Sequence, residues 1–196
     1  EWSKSDSAKP ALLDSAALAY RAAIKHGKAD SKAVAKNGLA LVYLRKGDPR
    51  AAARELADAS DDKVLTPGQR SLVQYNLARS LAAASDTVAA LEAMRHSIQL
   101  RPDNDLAVDE AFSMLLRQGD ATGDSAVALA GYLLRANRSF AAMNQLRPCL
   151  DRWGDAPSGR LVFAQMLRAQ ARLGVTPAGV ADLLQTAQAH PTLAPM

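Results

Sequence analysis

Few side chains in this sequence could bind a metal or attack a substrate: three histidines, one cysteine, and serines and carboxylates scattered among them. Their spacing decides what they can do. His26, His96 and His190 lie far apart and share no ligand spacing with Cys149, whereas a zinc site draws ligands from closely spaced pairs. "PDND" (residues 102–105) resembles the start of a calcium loop. It lacks the turn glycine and the distal glutamate at the right spacing, so a helix cap is the better reading. "GDSAV" (residues 123–127) lacks the second glycine of a nucleophile elbow, and no strand pattern precedes it. No glycine-rich phosphate loop is present either. The expectation is a non-catalytic chain with no metal and no cofactor.

Two other residues invite a chemical reading. Cys149 has Arg147 and Arg152 nearby, charges that could lower a thiol pKa, but a small buried hydrophobe fits the same sequence. As the only cysteine it cannot form a disulfide within the chain. Trp153, in the stretch "DRWGDAPSG", either plugs a helical interface or anchors a partner.

Whatever these residues do, helices must position them. Of the 196 residues, 48% are hydrophobic and only 5% aromatic. Alanine is abundant, and no stretch alternates with period two, so the chain is expected to be all-α. Net charge is +4, mildly basic, with every lysine between Lys4 and Lys63 and only arginine beyond. Lys25, Lys28, Lys32 and Lys36 could attract an acidic partner or phosphate, or form a solvated face. Weak positive charge and sparse aromatics argue against RNA, so no nucleic-acid partner is expected. The longest apolar run, "AVALAGYLL" (residues 126–134), is too short to cross a bilayer. No signal peptide is visible and the chain begins at Glu1. A processed chain or a piece of a longer one is expected, with an anchor possible outside it and the compartment, cytoplasmic or periplasmic, open.

Helical patterning predicts ten helices, over 11–26, 31–46, 49–60, 67–84, 86–100, 103–118, 124–137, 139–146, 158–173 and 177–190. Gly27, Gly47, Gly119 and Gly174 suit left-handed stops, and Pro49, Pro67 and Pro177 suit first turns. Asp86, Asp103 and Ser139 suit N-caps. Pro148 is expected to break or kink the chain, leaving "DRWGDAPSG" as a loop.

The helices repeat. Placing Gly47-Asp48 over Ser85-Asp86, an offset of 38 residues, aligns Leu39-Ala40 with Leu77-Ala78, Ala52 with Ala90 and Leu56 with Met94. A further 34 residues reaches Gly119-Asp120. Small residues recur where antiparallel helices would touch, which puts Ala78 and Ala90 at a close contact. "NQLRP" (144–148) echoes "IQLRP" (98–102) at 46 residues, so one extra or displaced helix is expected between Asp103 and Asn137.

This pattern resembles the tetratricopeptide repeat, a 34-residue helix–turn–helix. The stretch from Arg70 to Asn104 carries the Asn-Leu-small cluster (Asn76, Leu77, Ala78), Asp86 at the turn, Ala90, Met94 and the closing Pro102. Residues 33–59 match as a second unit, and 12–30 resemble the second helix of a repeat without its first. The family's usual tryptophan is replaced by Lys36 and Gln74. The implied organisation is a polar leader (1–10), a repeat array (11–104, with a partial repeat 11–30 and repeats 33–66 and 70–104), irregular hairpins (105–190) and a tail (191–196). The implied architecture is a superhelical array whose first helices line a concave groove.

Mapped onto this sequence, that groove takes Val34, Asn37, Leu41, Leu44 and Arg45 from one repeat, then Leu72, Tyr75, Asn76, Arg79 and Ala82 from the next. Leu106, Asp109, Ser113 and Leu116 follow. Ordinary packing between repeats is the competing role for each. One subset of the family grips a C-terminal carboxylate with Lys, Asn and Arg. Asn76 matches one such position, but Asn37 and Leu41 replace the first-repeat pair, so that clamp is not expected. The resemblance implies an adaptor or scaffold that binds a peptide or helix of a protein partner, in a bacterial envelope, exopolysaccharide-export or secretion assembly. The alternative is a self-associating or spacer domain of a membrane-anchored protein.

Overall fold

The computed structural model describes residues 3–60, 64–118 and 123–193. Among these, every regular element is helical: α1 (Ser3–His26), α2 (Ala29–Arg45), α3 (Pro49–Ser60), α4 (Pro67–Ala83), α5 (Thr87–Leu100), α6 (Asp105–Gln118), α7 (Asp124–Arg135), α8 (Ser139–Trp153), α9 (Gly159–Leu173) and α10 (Pro177–Ala189), with a short 3-10 turn over Pro191–Leu193. The chain is therefore all-α, with the ten helices its punctuation predicts.

Three of the helix stops are built alike. Asp48, Asp86 and Arg138 donate their backbone N–H to Tyr43, Leu81 and Leu133 at 2.9, 2.9 and 2.8 Å. The residue before each donates to Leu44, Ala82 and Leu134 at 3.1, 3.0 and 3.1 Å. This paired bond requires a left-handed residue between helices, supplied by Gly47 (φ 77°), Ser85 (φ 67°) and Asn137 (φ 61°). Asp48 and Asp86 then cap the next helix, accepting from the N–H of Ala51 at 2.9 Å and Ala89 at 3.2 Å. The Gly47-Asp48 and Ser85-Asp86 turns thus share one geometry. Gly119-Asp120 lies outside the described residues, and the third turn of this kind is Asn137-Arg138.

Several expectations need correction. Gly27 is not left-handed; its role is room, since an added Cβ would lie 2.4 Å from the Ala23 carbonyl oxygen. Asp103 does not cap α6; Asn104 does, accepting from the N–H of Ala107 at 3.3 Å. Ser139 does not cap α8: it is the first helical residue, and its buried hydroxyl makes no hydrogen bond. The polar leader does not precede the first helix but is part of it from Ser3 onward, because α1 reaches back through Pro10. A proline removes one rung of the ladder, too little to end a helix of 24 residues.

Pro148 likewise does not end α8, which runs on to Trp153. Its missing N–H would have bonded the Asn144 carbonyl, and both residues are exposed, so water can satisfy that oxygen. "DRWGDAPSG" therefore begins as helix, and the "NQLRP" echo is out of register with "IQLRP", which closes α5. Two helices, α6 and α7, occupy the stretch between Asp103 and Asn137, and the echo that suggested an extra helix does not align them. The turn at Asn137 joins α7 to α8.

The chain forms two compact units, residues 1–101 and 102–196. In the first, neighbouring helices pack in sequence from α1 to α5, and α2 also touches α4. One core cluster joins Ala33 and Ala40 of α2, Ala52, Leu56 and Ala59 of α3, and Val73 of α4. Ala78 and Ala90 are completely buried, one on each helix of the α4–α5 hairpin. That hairpin is also stitched by Ser71 and Ser97, whose hydroxyls each donate to the other's carbonyl at 3.0 and 2.8 Å. In the second unit α8 is central. It packs on α7, α9 and α6, and Phe112, Leu133, Leu146, Leu150, Val162 and Met166 are all but inaccessible.

Candidate functional site

The residues expected to line a groove fall into three local groups. The first holds helices together. Asn76 on α4 is only 5% exposed, and its Nδ2 donates to Asn37 Oδ1 on α2 at 2.8 Å. Asn76 therefore serves the contact between α4 and α2. Leu44 does similar work, packing against the α2–α3–α4 core.

The second group is a pair on α4. Tyr75 and Arg79, four residues apart, share one face, and the Arg79 guanidinium carbon lies 5.7 Å from the Tyr75 ring centroid. The ring is half-buried and the guanidinium exposed. Such a cation–π contact holds the long arginine over the ring and lowers the conformational freedom it would lose on binding. Val34 and Leu72, at matching places on α2 and α4, are also exposed.

The third group opens on α1. Leu41 and Arg45 line a groove of about 1020 Å³ between α1 and α2. Its α1 wall carries Leu12, Leu13, Ala16 and Tyr20, and Gly38 lies in its α2 wall. Tyr20 and Gly38 fit as knob and notch: a Cβ on residue 38 would lie 2.4 Å from the tyrosine ring. One end is cationic, with Arg45 exposed and Lys46 paired to Asp14 Oδ1 at 2.5 Å. Sequence reasoning missed the α1 wall. Its signal was the apolar series Leu12, Leu13, Ala16 and Tyr20 at helical spacing, opposite a glycine inside α2.

Asp109 and Ser113 belong to the second unit. Both are exposed on α6, and Asp109 Oδ1 accepts from Gln145 Nε2 on α8 at 2.5 Å. Leu106 is exposed and Leu116 half-buried on the same helix.

The residues that invited a chemical reading are structural in their surroundings. Cys149 is completely buried, and its Sγ contacts the Gln145 carbonyl at 3.2 Å. Arg147 turns instead to Asp182 on α10 in a two-armed pair. The hydrogen bonds of that pair, ahead of charge alone, hold the Asp182 carboxyl below its ordinary range and the Arg147 guanidinium above its own. Trp153 is buried at the end of α8, filling space beside Gly123. Of the four lysines at 25–36, Lys36 pairs with Asp58 at 3.5 Å. Among the described residues, no group of three or more His, Cys, Asp or Glu side chains converges on a metal-sized site. Among the same residues, no helix is long and apolar enough to cross a membrane.

No family model, curated protein or solved structure matches the chain.

Proposed function

We propose that this chain is a non-catalytic protein-interaction module of the tetratricopeptide type, an adaptor that binds a peptide or helix of a protein partner within a larger assembly. The observation that carries the reading is the repeated hairpin. The α2–α3 and α4–α5 pairs share one turn geometry and one capping aspartate. Their first helices touch through Asn37 and Asn76. Each first helix then presents a mixed row, Leu41 and Arg45 on α2, Tyr75 and Arg79 on α4. A tyrosine ring carrying an arginine is the composition typical of a binding hot spot.

Site-specific photo-crosslinking tests this. A photoreactive residue in place of Arg79 should form adducts with a different protein in native lysate. The same residue in place of Val88, exposed on α5, should not. Adducts only between copies of the chain would favour the self-associating scaffold. Equal yields at both positions would refute the reading.

A further inference from the structure

The groove between α1 and α2 has a counterpart inside the molecule. The 38-residue offset that aligns the two turns also aligns Gly38 with Asn76. Asn76 is the residue by which α4 holds α2, and α2 lies against both α3 and α4. One repeat earlier, the corresponding place is bounded by α1 and α2, and Gly38 stands where Asn76 would. There the surface is an open groove of about 1020 Å³, with Tyr20 seated on Gly38 as part of its wall. From Gly38 to Arg45 it follows about two turns of helix, or roughly 10 Å.

Three features define what fits. The walls are aliphatic and partly exposed, with Leu12 at 67% and Leu41 half-buried. The missing side chain at Gly38 is taken up by the Tyr20 ring, which closes that part of the groove as an aromatic wall. The end at Arg45 is cationic, Lys46 beside it being paired with Asp14. Inside the molecule, α2 shows what covers the equivalent surface. It is a helix presenting Ala33, Ala40 and Leu44 to the core and a polar amide at its margin.

We infer that the α1–α2 groove binds an amphipathic α-helix of a partner protein, aliphatic along one face and bearing carboxylates that meet Arg45, seated as α2 is seated on α3 and α4. This rests on the adaptor reading and names the partner's chemistry and its place. The helix lies along the groove beside Tyr20, its aliphatic face meets Leu12 and Leu41, and its acidic end meets Arg45.

The test uses the whole chain and a fluorescent peptide that copies the 17 residues of α2, with glutamate replacing its two lysines and its arginine and alanine replacing its glycine. Fluorescence anisotropy should show saturable binding. Leu12→Glu and Arg45→Glu should each weaken it at least about tenfold, an effect of about 1.4 kcal/mol, while unchanged melting curves verify the fold. Arg45→Glu should in turn favour a version of the peptide that keeps the basic residues. Absence of binding, or equal binding by both folded variants, would overturn the inference. So would a concentration-dependent dimer abolished by Leu12→Glu, which would assign the groove to a second copy. Adducts at Arg79 together with a failed peptide would remove this inference and leave the adaptor reading intact.

Discussion

Ala78 on α4 and Ala90 on α5 have no accessible surface, so neither place has room for a larger side chain. Ala90→Leu inserts three carbons into filled space and should cost about 1–3 kcal/mol, measured as a lower denaturation midpoint at unchanged slope. Asn76 acts differently. Asn76→Ala removes the bond to Asn37 and should cost about 1 kcal/mol. A double-mutant cycle with Asn37→Ala should show coupling, since both substitutions break the same bond. The alanines were legible in the sequence because they recur at the same places about two turns, Ala40 with Ala78 and Ala52 with Ala90. The asparagine pair was not. An asparagine facing a partner and one facing a neighbouring helix look alike until the helices are laid side by side.

The turns show what an element requires of its sequence. Gly47 announces a left-handed stop, whereas Ser85 and Asn137 make the same stop at a steric cost that an L side chain incurs. Ser85→Gly should therefore stabilise the chain by about 1 kcal/mol, with a smaller gain for Asn137→Gly because asparagine tolerates this conformation. Thermal melts would check both. Pro148 defies its local pattern because the damage a proline does depends on where the orphaned carbonyl points, which no local pattern records. Here it belongs to exposed Asn144. Acid should weaken the link between α8 and α10. The Asp182 carboxyl is held below its ordinary value by Arg147, so its contribution is complete above the carboxylate range and is lost as pH falls through the lowered value. Both side chains are substantially exposed, which limits the effect to about 1 kcal/mol or less. Asp182→Asn should remove that acid-dependent part of the stability, read from melts across the acidic range.

At the level of the whole molecule, residues 1–101 contain the helices and core clusters that stabilise them. A chain ending at Arg101 should give a helical circular dichroism spectrum and a single cooperative melt; a non-cooperative melt would show that this unit cannot stand alone. Its hairpins were readable because the same small residues recur about the Gly47-Asp48 and Ser85-Asp86 turns. The second unit was less so, since its matching turn, Asn137-Arg138, has neither the glycine of the first nor the aspartate that both share. The burial of Trp153 in that unit has an optical consequence. Trp2 and Trp153 are the only tryptophans, so Trp2→Phe leaves a single indole, enclosed at the end of α8 with the Arg152 guanidinium 5.9 Å from its ring. Its emission then reports on one half of the chain while ellipticity weighs both. A red shift that leads or trails the loss of ellipticity would time the two halves against each other in one cuvette, without a label.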